Sequence, residues 1–232
     1  MNEKNYKTNT NYFTKSDLLR PIAGALAAIG FLLYLFGFGY VSYILGSIFL
    51  PGAVVLFIIG SVGNASESDI TDTIEAKTVD LEVRFEDDKR YATRTLHGFP
   101  PFIAEGHEYE DGLMVKRAKS GVVRTSKYTK SILYALEDAL YVTERSFSLV
   151  DDLVENKVYD IPYAEIKGIE ILRDHKTVTF RGKRFTVKLT QLAITRTDGE
   201  IIVFPVHDDI GSDEFVEKLL KYIDERKTET AK

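Results

Sequence analysis

From Pro21 to Ser66 the chain carries no Asp, Glu, Lys or Arg, and this apolar block limits the possible folds more than any other feature. At about 1.5 Å per residue a single helix of that block would run about 69 Å, roughly twice the ~30 Å hydrocarbon core of a bilayer. Two spans joined by a tight turn fit the length. The best break is Gly37-Phe-Gly39-Tyr-Val-Ser42, because two glycines weaken the helix and Tyr40 and Tyr43 suit a membrane interface. The transmembrane hairpin is therefore placed at residues 18–62, with spans near 18–38 and 41–62. A break at Pro51-Gly52 would leave one span too short to cross, so Pro51 is read as a kink inside the second span. Gly24/Ala28 and Ser42/Gly46 have the small-xxx-small spacing that lets helices approach closely. No small-residue cleavage site leads into a polar mature region, so the first span reads as an anchor and not as a signal peptide.

Charge sets the expected orientation. Lys4, Lys7 and Lys15 precede the first span, Arg20 stands at its start and the predicted turn has no basic residue, so the positive-inside rule puts the tail of residues 1–17 in the cytoplasm. Two crossings return the rest to the same side, which predicts a multi-pass protein of the cell membrane. Residues 67–232 carry a net charge of −7, which gives no support for nucleic-acid binding. The absence of cysteine excludes disulfides and thiolate chemistry. Apart from Arg20 at the start of the first span, neither span contains Asp, Glu, Lys, Arg or His, so the hairpin is read as an anchor, the alternative being a pore or transport-complex subunit whose oligomerised hairpins are the working part.

The soluble region divides into a juxtamembrane helix and connector, 66–110, and a β domain, 111–227. Ser66-Glu-Ser-Asp69 looks like a helix start, followed by Ile70, Ile74, Lys77, Leu81 and Phe85 at helical spacing. Val79, Leu81, Val83 and Phe85 also alternate as a strand would. Pro100-Pro101 marks the polar stretch from Tyr91 to Glu110 as a connector. Short strands are expected at 113–117, 122–124, 131–136, 139–147, 157–161, 166–173, 177–180, 185–197 and 201–206. Asp198-Gly199 signals a two-residue hairpin loop between the last two. Ser212 is expected to cap a final helix whose apolar stripe is Phe215, Val216, Leu219, Leu220, Tyr222 and Ile223. This order predicts an α+β chain: a two-helix hairpin, then a bent antiparallel sheet or partial barrel closed by a C-terminal helix.

Three segments, Ala139-Leu-Tyr-Val-Thr-Glu-Arg145, Tyr159-Asp-Ile-Pro-Tyr-Ala-Glu-Ile-Lys-Gly-Ile-Glu-Ile171 and Leu192-Ala-Ile-Thr-Arg-Thr-Asp-Gly-Glu-Ile-Ile-Val-Phe204, together with the terminal helix, resemble the bacterial pleckstrin-homology-like domains. The resemblance covers about residues 110 to 227. It implies a binding fold, often membrane-anchored, and brings no catalytic signature with it.

Chemistry-bearing residues are sparse. His97, His107, His175 and His207 are widely separated. His107-Glu-Tyr-Glu-Asp111 and His207-Asp-Asp209 offer possible metal ligands, but a polar loop and an acidic helix start explain the same residues. The glycines form no phosphate loop and no serine sits in a nucleophile elbow. No cofactor, metal or catalytic site is therefore expected, and an enzyme would need a site assembled around His107 or His207. Two basic runs stand out: Lys116, Arg117, Lys119, Arg124, Lys127 and Lys130 with no acid between them, and Arg173, Lys176, Arg181, Lys183, Arg184 and Lys188 offset only by Asp174. Each surrounds a predicted turn where Lys116, Arg117, Lys119, Arg124 and Lys127, or Arg173, Lys176, Arg181, Lys183 and Arg184, can meet an anionic phospholipid. Solvated strand ends that discourage edge pairing explain them too. The expected function is a membrane-anchored, non-catalytic binding or scaffold module that presents its β domain to anionic lipid, to a protein partner or to another copy of itself.

Overall fold

The computed structural model describes residues 3–15, 18–37, 39–63, 65–81, 94–96, 99–207 and 210–230. Phe38, Val83, Phe85, His97, Asp208 and Asp209, which figure in the expectations above, lie outside the described residues. The chain forms two compact units, Met1–Ser68 and Asp69–Lys232.

The first unit contains α1 (Glu3–Thr14), α2 (Leu19–Phe36) and α3 (Tyr40–Ser61). Helices α2 and α3 are long and apolar enough to cross a bilayer, and the chain breaks between them where the paired glycines predict. Pro51 sits inside α3, which continues through it. Of the expected glycines, Gly46 makes the close approach and Gly24 does not. Gly24 has nothing within 4 Å of where a Cβ would stand, whereas a Cβ on Gly46 would lie 2.8 Å from the Tyr34 ring and 3.2 Å from the Gly30 carbonyl. The expected tail is also a helix, α1, and it helps serve the carbonyls that α3 leaves unpaired at its end. Asn11 Nδ2 donates to the Gly63 carbonyl at 2.7 Å and Lys15 Nζ to that of Val62 at 2.9 Å, while Arg20 Nε of α2 donates to that of Gly60 at 3.2 Å.

The second unit starts inside the first turn of α4 (Glu67–Thr78) and, among the described residues, continues with nine strands and a helix, α5 (Ile210–Thr230). Strands β1 (Phe102–His107), β4 (Lys127–Ala135), β5 (Ala139–Ser148) and β6 (Val154–Pro162) form one antiparallel sheet in that order. A 3-10 turn at Tyr163–Glu165 leads into β7 (Ile166–Phe180), which pairs with β8 (Lys183–Arg196), and β8 pairs with β9 (Ile201–Pro205). A small hairpin of β2 (Val115–Arg117) and β3 (Val123–Thr125) is inserted between β1 and β4.

The core lies between the two sheets. Leu133, Leu140 and Val142 meet Leu192, Ile194 and Phe204, and Phe215, Val216, Leu219 and Ile223 of α5 complete the cluster. A Cβ on Gly106 would come within 3.1 Å of Pro205 Cβ, so glycine allows β9 to approach β1. The opposite face of the first sheet is not left to water. Leu81 packs with Ile132, Tyr134, Leu136 and Tyr141, and Arg145, 6% exposed, donates to the Lys77 carbonyl at 2.7 Å, to the Asp80 carboxylate and to Asn156 at 2.8 Å. Lys77 itself donates to the Ser148 and Asp151 carbonyls and lies over the Phe147 ring. Helix α4 is thus part of the β domain, although the sequence suggests a separate juxtamembrane piece.

Four further expectations are corrected. The connector contains β1, whose inward positions Ala104 and Gly106 are too small to register as a strand pattern. The strands expected at 166–173 and 177–180 are one strand, β7. The β8–β9 loop has three residues, not two: the Gly199 amide donates to the Arg196 carbonyl, the Arg196 amide to that of Glu200, and Gly199 takes φ +91°, the arrangement of a type I turn with a bulge. Ser212 lies within α5 and donates to the His207 carbonyl at 3.2 Å, so it is not the cap.

Candidate functional site

The two basic runs come together. Strands β2 and β3 stack on the distal half of the β7–β8 hairpin through Val115, Val123, Val178 and Val187, with Tyr109, Phe180, Phe185 and Leu189 at the margin. The turn of the long hairpin is Arg181-Gly182, both with positive φ (50° and 75°), as a two-residue I′ loop requires. In the small hairpin Lys116 pairs across the ladder with Arg124 and Arg117 with Val123, so Val115 and Val123 turn inward while Lys116 and Arg124 share the other face. Arg117, Lys119, Lys176, Arg181, Lys183 and Arg184 are exposed or partly exposed. The Arg181 guanidinium lies 5.5 Å from the centre of the Phe180 ring.

Two residues of the expected set are engaged elsewhere. Lys127 pairs with Glu108 at 2.6 Å and with Glu110 at 3.5 Å, and Arg173 pairs with Asp213 of α5 at 2.6 Å.

A second feature escapes the sequence reading. Along β4 and β5 the inward positions change from Leu133, Leu140 and Val142 to Thr129, Ser131, Glu144 and Ser146, so one end of the inter-sheet space is polar. It opens as a cleft of about 620 Å³ between the polar half of the first sheet and strands β8 and β9. Two carboxylates lie on its floor in different states. Burial alone would raise the Glu108 carboxyl, but hydrogen bonds from Lys127, Thr129 and Ser146 outweigh it and hold it below the ordinary range. The Glu144 carboxyl is raised by burial and by the Glu108 charge, because its own partners, Ser131 Oγ at 3.4 Å and Lys157 Nζ at 3.7 Å, are distant. Beside it the Tyr159 hydroxyl is pushed up to about 12 by burial and by Glu144 and Glu200. The signal in the sequence is parity: Leu140, Val142, Glu144 and Ser146 share one face of β5, so an interior strand turns polar halfway along.

Of the described histidines, His107 and His207 both line this cleft and His175 does not. His107 is partly buried, edge-on to Tyr128, with Nδ1 against the Thr125 backbone. Burial and the Arg124 charge lower it to about 4, so the ring is neutral. Among the described residues no three His, Asp or Glu side chains are arranged to hold a metal ion.

Comparison with protein-family models, with curated proteins and with solved structures finds no match.

Proposed function

We propose that this protein is a membrane-anchored, non-catalytic binding module whose basic double hairpin contacts anionic phospholipid at the cytoplasmic leaflet. The observation that carries the reading is the stacking of β2–β3 on β7–β8: residues more than fifty positions apart in sequence deliver their arginines and lysines to one end of the domain. Two apolar helices at the start of the chain would keep that end at bilayer-level concentration, so individually weak contacts of about 1 kcal/mol per basic residue suffice. With the β2–β3 insertion set aside, a four-strand meander, a three-strand meander and a closing helix follow the order of a pleckstrin-homology-like domain. That supports the resemblance of the sequence segments, and the positive-inside pattern supports a cytoplasmic placement on both flanks of a multi-pass hairpin.

Amide exchange on the full chain in nanodiscs tests the proposal. Residues 115–125 and 176–188 should gain protection when neutral lipid is replaced by a mixture with anionic lipid, and lose it at high salt. Equal exchange in both lipids would refute it.

A further inference from the structure

Strand β9 is an edge, and its geometry prepares it for a partner. The Arg196 amide donates to the Glu200 carbonyl at 2.8 Å and the Val206 amide to that of Thr190 at 3.0 Å. By the alternation of an antiparallel ladder, even-numbered residues of β9 therefore bond to β8, while Ile201 and Val203 direct their N–H and C=O groups away from it. Among the described residues no strand pairs with that side. The Ile201 and Val203 side chains are 59% and 44% exposed on the outer face, and Ile202 and Phe204 point into the core.

This edge opens onto the polar cleft, which is lined by Glu200 to Val203 and by Pro205 to His207 of the same strand. A strand added beside β9 would place alternate side chains outward, along the Ile201/Val203 row, and inward, over the cleft floor. The floor is electrostatically suited to a cation. Glu105, Glu108, Glu110, Glu144, Glu155 and Glu200 reach the cleft, against four lysines. Of these acids Glu108 is already held by Lys127 at 2.6 Å, whereas Glu144, 7% exposed, has its nearest cation at 3.7 Å. Glu144 is linked to β9 through Tyr159, whose ring packs edge-on against Phe204 at 5.9 Å.

We propose that the cleft receives an extended peptide from a partner protein, added as a fourth strand on the open side of β9, with a lysine or arginine side chain seated on Glu144. The main-chain bonds supply affinity and the inward basic side chain supplies selectivity. The site adjoins the basic hairpins, with Lys176 and Lys188 of β7–β8 at its margin, but the strand pairing and the Glu144 seat do not involve lipid.

The test uses the full chain in neutral detergent, with no anionic lipid, panned against a displayed library of random peptides. Selected peptides should share one basic residue flanked at alternate positions by β-branched or aromatic residues. A synthetic peptide of the selected sequence should bind the wild-type chain. It should lose about tenfold or more in affinity against Glu144→Gln, which keeps the shape of the side chain, and against Val203→Pro, which removes an edge N–H. N-methylating the peptide amides that face β9 should abolish binding without any change to the protein, which separates edge pairing from misfolding of a variant. No enrichment, or a selected peptide indifferent to N-methylation, would overturn strand addition. Binding that responds to N-methylation and not to Glu144→Gln would overturn the basic anchor.

Discussion

Replacing Asp80 by alanine should loosen α4 more than replacing Arg145 by methionine, although both remove the same ion pair. The reason is the unequal burial of the partners: the Arg145 side chain is 8% exposed and that of Asp80 47%. Asp80→Ala leaves a buried guanidinium with the Lys77 carbonyl and Asn156 as its remaining partners among the described residues, and an uncompensated buried charge costs about 3–5 kcal/mol. Arg145→Met removes the charge, fills most of the volume and leaves a carboxylate that water can reach, a loss of about 1–2 kcal/mol in charge-assisted hydrogen bonds. Amide exchange over residues 70–81 of the detergent-solubilised full chain reads the opening free energy of α4 directly. Exchange should accelerate in both variants and by at least about tenfold more in Asp80→Ala. Equal acceleration, or a larger effect from Arg145→Met, would refute the reasoning from unequal burial.

Three further outcomes are expected. In the hairpin, Gly46→Ala should reduce thermal stability in detergent by about 1–3 kcal/mol, because its Cβ meets the Tyr34 ring at 2.8 Å, while Gly24→Ala, with open space around it, should be nearly neutral. His107, whose folded pKa of about 4 lies below the ordinary 6.5, binds fewer protons folded than unfolded between those values. Stability of the β domain should therefore fall as pH drops from about 6.5 toward about 4, by on the order of 3 kcal/mol, and denaturation of His107→Gln should lack that component of the pH dependence. Gly106→Val should destabilise the domain by about 1–3 kcal/mol by forcing Pro205 of β9 away from β1, measurable as a lower denaturation midpoint.

The parts of this fold that can be read from sequence are those set by local pattern. A charge-free run of hairpin length states its own solution, and the alternation in β5 and β8 marks strands wherever they pack. What escapes depends on contacts between distant segments. Ala104 and Gly106 look like connector residues until β9 is known to press on them, and the N-terminal tail becomes a helix only beside the carbonyls at the end of α3. The Thr129, Ser131, Glu144 and Ser146 floor reads as a wet sheet face because sequence parity shows which residues share a face but not what covers it. The basic runs were visible as charge, but their convergence rests on Val115 and Val123 finding Val178 and Val187. Lys127 and Arg173 belong to those runs by spacing and to Glu108 and Asp213 by geometry.

The central claim, that the double hairpin faces an anionic membrane, is tested most directly by depth. The chain has no cysteine, so Ser120→Cys in the β2–β3 turn and Lys218→Cys on the exposed side of α5 each give a unique labelling site. Fluorophores there, in full-length protein reconstituted into nanodiscs with nitroxide-bearing lipid headgroups, should differ. The account predicts strong quenching at position 120 that requires anionic lipid and fades with salt, and weak, salt-independent quenching at 218. Equal quenching at the two positions, or quenching at 120 that ignores lipid charge, would contradict it.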